Sequence, residues 1–319
     1  MARLEIRPFS DEFLDAAGEL LAARHRAHRA VEPLLPPRFE EAAAAAELVT
    51  ELAATDGASG AVALRGGRVV GYLLGVRRSE EIWGASVWVD LAGHAVEVPE
   101  DLRDLYAAAA RVWVDEDERP RHHARVPATD PALLDAWYRV GFGQQHAYGI
   151  QAIPEASWPE GVRLATEDDV EAILDLDPLL PDHQERSPVF VRGMPRQSRD
   201  ELRAELLEDL EQAGIADLVA ERDGHVVGSF RIVPVELSST HTGVARPESA
   251  ALLSWAATDP TVRGTGAGLA LTKAAFAWAR ERGHQTMVID WRVTNLLASR
   301  FWPARGFRPT FLRLYRHIP

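Results

Sequence analysis

"ALLSWAATDPTVRGTGAGLALTKAAFAWARERG", Ala251 to Gly283, is the stretch on which the reading of this chain turns. An apolar run, "ALLSWAA", meets a helix-forming run through a short segment that holds Gly264, Gly266 and Gly268. Glycine lets the backbone approach a ligand closely, and the first amides of a helix have no acceptor within it. With the helix dipole, those amides make a cradle for an anion such as a pyrophosphate. Arg263 stands beside the glycines and can add a charge-assisted bond. The competing reading is a plain tight turn between strand and helix. A dinucleotide fingerprint fails on spacing, since its last glycine falls on Leu269 or Leu271. A Walker loop fails because Lys273 follows Thr272 instead of a glycine.

Outward from this stretch, the two halves of the chain repeat one plan. "LEIRPFSDEFLDAAGELL" from Leu4 and "GVRLATEDDVEAILDL" from Gly161 each give a strand, an acidic turn and a helix. "AVALRGGRVVGYLLGV" and "LVAERDGHVVGSFRIV" each read as a hairpin around a glycine-containing turn. "AWYRVGFGQQHAYGI" and "RFWPARGFRPTFLRLYRHI" each end in a Gly-Phe pair and a strand. Arg7 aligns with Arg163, Gly71 with Gly228 and Phe142 with Phe307, at offsets of 156, 157 and 165. Each half reads as strand, helix or helices, three strands, helix, strand, helix, strand. The fold class is α/β: two tandem domains, 1–155 and 160–319, each a mixed, mainly antiparallel sheet flanked by helices. The join falls near "AIPEASWPEG", Ala152 to Gly161. The segment after each first helix differs between the halves. In the second half it reads as a loop from "LLPDHQER" onward, closed by an amphipathic helix, and such variable segments shape what enters a site.

The chain has 319 residues, 46% of them hydrophobic, which suits two domains better than one. There is no cysteine, so disulfides, thiolate metal sites and a Cys nucleophile are excluded. A net charge of −13 argues against nucleic acid and anionic lipid and favours cationic partners such as amines. Lys273 is the only lysine, so an anion site must use arginine and backbone amides. With no long apolar run, a soluble, cytoplasmic protein is expected, without a membrane partner. His25 with His28, and His122 with His123, lack carboxylates at ligand spacing, and no metal is expected.

The glycine stretch resembles the acetyl-CoA loop of the GCN5-related N-acetyltransferase (GNAT) superfamily, whose pattern is Arg/Gln-x-x-Gly-x-Gly/Ala. Arg263, Gly266 and Gly268 fill its positions, and Pro260 stands where that family often has proline. A second family pattern follows in "NLLASRFWPARGF", with Asn295, Ala298, Phe301, Trp302, Gly306 and Phe307 in register. The resemblance covers Gly161 to Pro319 well and the first half in outline. It implies acetyl-CoA as acyl donor, held by Ala256, Ala257, Thr258, Arg263, Gly264, Thr265, Gly266, Ala267, Gly268, Asn295 and Trp302. The first half resembles a degenerate copy: it has no glycine loop, Asp101 and Asp104 place negative charge where phosphates would bind, and Pro131 falls at the asparagine position. Its expected role is to stabilise its twin or wall the substrate cleft.

In that family an amine attacks the thioester directly, and a backbone amide near "WAAT" polarises the carbonyl. Many members carry tyrosine where this chain has Trp302, and indole cannot protonate a leaving thiolate. Either the thiolate leaves unassisted, or Ser299 or Tyr315 supplies the proton. Glu236, closing "SFRIVPVE", is the first choice of general base; Asp290, His183 and Glu185 are the others. The expected activity is acetylation of a primary amine on a small molecule, confined to the second domain. The alternatives are acetylation of a protein lysine or N-terminus, and an acyl-CoA-binding regulator that does not transfer. The oligomeric state is not legible.

Overall fold

The computed structural model describes residues 3–80, 83–193 and 196–319; Met194 and Pro195, in the segment read as a loop, lie outside the described residues. The first half runs β1 (Leu4–Pro8), α1 (Leu14–Val31), α2 (Ala42–Ala53), β2 (Ala58–Arg65), β3 (Arg68–Glu80), β4 (Gly84–Val89), β5 (His94–Val96), α3 (Asp101–Arg111), β6 (Arg121–Pro127), α4 (Pro131–Arg139) and β7 (Gly143–Ala152). The second runs β8 (Val162–Leu164), α5 (Val170–Leu176), α6 (Leu179–Gln184), α7 (Arg199–Leu210), β9 (Ala216–Arg222), β10 (His225–Pro234), β11 (Ala250–Thr258), α8 (Ala267–Glu281), β12 (Thr286–Arg292), α9 (Leu296–Phe301) and β13 (Arg308–His317). The fold is α/β with a mixed, mainly antiparallel sheet. Two details differ from the sequence reading. The third strand of the first hairpin region is broken into β4 and β5 by a turn at 90–93. The variable segment of the second half opens with a helix, α6, whose Pro181 sits in the first turn, where a missing N–H costs nothing.

Compactness divides the chain into two units that do not follow the two halves of the sequence. One comprises Met1–Tyr148, Gly243–Arg246 and Pro309–Pro319; the other comprises Gly149–Thr242 and Pro247–Arg308. The division falls inside β7, ahead of the proline-containing join.

In the first unit the strand order is β1-β2-β3-β4-β6-β13-β7, with β5 against β3. β13 pairs antiparallel with β6, Phe311 opposite Pro127 through His317 opposite Arg121. On one face, Ala17, Leu21 and Ala22 of α1 pack with Ala45 and Val49 of α2 onto Tyr72 and Leu74 of β3. The helices approach so closely at Gly18 that a Cβ there would lie 2.5 Å from Ala46 Cβ. α3 and α4 carry a buried aromatic group, with Phe142 5.3 Å from Tyr106 and 4.7 Å from Trp137. Residues 243–246 contribute Val244 and Ala245 to a cluster with Leu35, Phe39, Tyr148 and Phe311.

In the second unit the order is β12-β11-β10-β9-β8. α5 and α7 close one face through Val170, Ile173, Leu174 and Leu206 on Val219 of β9. Leu206 is the one buried residue of α7, so that helix is less amphipathic than its sequence promised. Its start is fixed by a capping box, Ser198 with Glu201, worth about 1 kcal/mol. α8 lies against the strands on the other side, burying Leu271, Phe276 and Trp278. Asp130 caps α4 and Asn295 caps α9, so the two halves share an N-cap one residue ahead of Pro131 and Leu296.

Candidate functional site

β11 and β12 run parallel and pair only at Ala250–Thr286, Ala251–Met287 and Leu252–Val288. Beyond Leu252 the two strands part. On its other side β11 stays paired with β10 to Thr258, opposite Gly228. The register slips once there: Ile232 faces Leu253 and Arg231 faces Trp255, leaving Ser254 as an inserted residue. A bulge of this kind bends and twists its strand. Ala256, Ala257 and Thr258 therefore hold β10 with one edge and turn the other to the parting.

The glycine segment begins where β11 ends. Asp259 Oδ1 accepts from the Thr261 amide at 2.7 Å and its hydroxyl at 2.6 Å, which holds the Asp259 carboxyl below the usual range and nucleates the turn Pro260–Val262. Gly264 and Gly266 have φ of +80° and +100°, left-handed values that favour glycine, and a Cβ on either would meet open space. The first amide of α8 to bond back is Ala270, onto Gly266 O at 2.9 Å. Arg263, Gly264, Thr265 and Gly266 are exposed, and Ala267 and Gly268 half-buried. The Thr265 amide is turned back onto Val262 O at 3.2 Å, so the cradle is made by the helix-start amides around it, with Arg263 at the lip, and it fits a pyrophosphate. Gly268 has a different role: a Cβ there would lie 3.3 Å from Phe301, so it permits α8 to approach α9.

Asn295 is buried, and its Oδ1 accepts from the amides of Leu297 and Ala298 and lies 3.2 Å from His183 Nε2. Next to His183, Gln184 accepts from Arg292 Nε at 2.9 Å. The end of α6 is thus docked on the end of β12 and the start of α9. Trp302 is 6% exposed, 5.8 Å from Phe230, 4.8 Å from Phe301 and 5.6 Å from Phe307, so it is built into the core.

The proton-handling candidates are spread apart. Glu236 is exposed on the turn Val235–Leu237. Glu185 is bound to Arg196 at 2.8 Å. Ser299 is half-buried on α9, and Tyr315 belongs to the first unit, its ring 5.0 Å from His123. Asp290 is half-buried on β12, two residues past the last pair with β11, and Thr240 Oγ1 lies 3.4 Å from its Oδ1. Thr240, Gln184 and Arg292 escaped the sequence reading. "ELSSTHTG" carries no periodicity, and beyond its local contact with Ser238 at 3.1 Å Thr240 meets Asp290 only across the fold.

The corresponding place in the first half is closed. β4 and β6 stay paired from Ser86–Arg121 to Val89–Ala124, with Trp88 stacked on His123 at 4.0 Å. From β5, which pairs with β3, the buried His94 ring reaches Arg125 O of β6 at 3.1 Å. The turn before it is gripped by Arg24, which donates to the carbonyls of Leu91 and His94, and by Tyr72, which donates to Ala92 O. At the head of α3, Asp101 is buried and paired with Arg65 at 2.9 Å. Among the described residues no group of His, Asp or Glu is arranged to hold a metal, and no helix is long and apolar enough to cross a membrane.

Comparison with known proteins fits this geometry. Residues 181–307 match the model of the acetyltransferase (GNAT) family. No curated protein matches the chain. Among solved structures, a GCN5-related N-acetyltransferase from Sphaerobacter thermophilus is similar over 98% of this chain and 95% of its own, at 16% identity and a TM-score of 0.55. A GCN5-related glucosamine N-acetyltransferase region of a fungal multi-domain GH3 β-N-acetylglucosaminidase is similar over 99% of this chain and 38% of its own, at 14% identity and a TM-score of 0.53. At these identities the likeness is one of fold, and it spans both halves.

Proposed function

From a chain whose second half carries an acetyltransferase (GNAT) family domain, we propose a protein that moves the acetyl group of acetyl-CoA onto a primary amine of a small molecule, by direct attack, in that half alone. The observation that carries this reading is the parting of β11 from β12 after Leu252, with the left-handed Gly264 and Gly266 following directly on β11. Acetyl-CoA would supply an activated thioester. The amides of Gly264, Gly266, Ala267 and Gly268, with Arg263, are assigned to its pyrophosphate, with Thr265 shaping the turn between them through Val262 O. The free edge of Ala256–Thr258 is assigned to its arm and carbonyl, where one preorganised amide is worth about 2.7–4 kcal/mol. Asn295 offers its Nδ2 to the same arm, and Trp302 forms the wall beneath it.

Asp290 is assigned the proton that the acceptor's ammonium gives up to become the attacking amine, with Thr240 orienting it. It is preferred to Glu236 because it stands at the parting, whereas Glu236 lies exposed on a turn. No acid is assigned to the leaving group: Trp302 can only donate a hydrogen bond, and a thiol of pKa about 8.5 leaves tolerably as thiolate. The charge of −13 favours a cationic acceptor by steering.

The same Trp302 motivates a second reading, a protein that binds acyl-CoA without transfer. Thermal shift with acetyl-CoA, followed by thiol release across small amines and lysine peptides, separates the two. A shift with release on a small amine upholds the proposal. Release on peptides alone moves the acceptor to proteins, a shift without release favours the non-catalytic protein, and no shift overturns both.

A further inference from the structure

Behind the bulge of β11 lies a charge cluster that the transfer chemistry does not use. Arg231 occupies the point of β10 where the register slips, and its side chain is largely buried. Its guanidinium binds Asp209 of α7, stands 3.6 Å from Glu205 of the same helix, and has its Nε 3.9 Å from Asp217 Oδ1 on β9. Asp217 is 3% exposed, and its Oδ2 has no hydrogen-bond partner among the described residues. Burial first, and Glu205 second, push its carboxyl up to about 7. Burial first, and Glu205 against the pull of Arg196, also raise the carboxyl of Asp177 at the end of α5. Buried ions are a poor source of stability, and their best-attested use is to fix a register. Here the register at stake is that of the bulge, since Arg231 O accepts from Ser254 Oγ at 3.3 Å.

We propose that Asp209, Arg231 and Asp217 form a positioning device for acyl transfer, pinning the Ser254 bulge and so aiming the β11 amides that follow it. From Leu253 onward β11 has lost β12 as a neighbour, and β10 alone restrains it. Arg231 is the β10 residue at that point, and its side chain ties the strand to β9 and α7 at once. This device rests on the acetyl-transfer reading only for what it serves; the rigidity of β11 can be measured without it.

The test uses the full chain with Arg231→Gln, Arg231→Lys, Ser254→Ala and Asp217→Asn, following amide hydrogen exchange at 253–258 and thiol release from acetyl-CoA. Arg231→Gln should speed exchange at 253–258 and lower kcat roughly 10- to 100-fold, with the KM for acetyl-CoA within about twofold. Arg231→Lys should recover part of both. Ser254→Ala, which removes one hydroxyl and leaves the core intact, should give the same pattern in smaller degree, and it decides the matter if Arg231→Gln fails to fold. Asp217→Asn should flatten the change in kcat above pH 7, where the native carboxyl loses its proton. Unchanged exchange at 253–258, or loosening confined to α7, overturns the device. Should wild-type protein release no thiol with any amine, the transfer reading falls while the exchange result still decides the rigidity claim.

Discussion

The two strand partings of this molecule are built from the same plan and end differently. In the second unit a single inserted residue, Ser254, bends β11, whose pairing with β12 has ended at Leu252. In the first unit four residues, 90–93, make the excursion between β4 and β5, and side chains occupy the result. His94 bridges to β6, Arg24 and Tyr72 hold the turn, and Trp88 with His123 seals the paired stretch. A parting stays free of such side-chain bridges only where small, backbone-rich segments line it. Once bulky or hydrogen-bonding side chains face inward, the same topology becomes a core.

The largest expected effect falls on the glycine hollow. Gly266→Val forces an L-residue to φ near +100° and fills the hollow, and should abolish the thermal shift with acetyl-CoA. Asp101→Asn, at the counterpart helix start, should leave that shift unchanged. A retained shift in the first variant would break the comparison. Next, Asp290→Asn should lower kcat/KM for the amine about 10²- to 10³-fold while acetyl-CoA affinity persists, read by steady-state kinetics and calorimetry.

The units should also respond oppositely to pH. Burial holds His25 at about 4, His28 at about 3, His94 at about 3, His122 at about 4 and His123 at about 2. These folded values lie below the ordinary 6.5, so the unfolded chain binds more protons on acidification. Stability is complete above about pH 6.5 and is lost as pH falls toward 4, by up to about 1.4 kcal/mol per histidine per pH unit. Asp217 runs the other way: its folded value of about 7 exceeds the ordinary one, so its contribution is present at low pH and fades as pH rises through 7. Hydrogen exchange resolved by unit between pH 5 and 8 should show the first unit loosening at the acid end. Uniform loosening would remove the contrast.

Smaller effects sharpen it. Gly18→Ala raises helix propensity yet drives a methyl into Ala46, and should cost about 1–3 kcal/mol in denaturant unfolding. Asp130→Ala and Asn295→Ala should each cost about 1 kcal/mol as lost N-caps, but only the second should also weaken acetyl-CoA binding.

Local pattern carried much of this. The repeat, the order of elements in the second half and the glycine-rich turn are all written in spacing and turn chemistry, which is why a strand-to-helix turn with glycines at 264 and 266 could be expected. What was not legible depends on chain crossings. His183 and Asn295 are 112 residues apart, and neither residue's neighbours announce the other. Thr240 reaches Asp290 across 50 residues, and the Arg231 cluster joins two strands and a helix. The family asparagine was sought at Pro131 in the first half, whereas the cap lies one residue earlier, at Asp130.

The pairing of β13 with β6 has a consequence for how the protein is made. Residues 309–319 fill the gap between β6 and β7, strands encoded more than 150 positions earlier, so the leading module leaves the ribosome with a slot in its sheet. It must wait, with that slot unfilled, until the trailing module has been translated. A cut at the proline-containing join would separate genes cleanly but not folds.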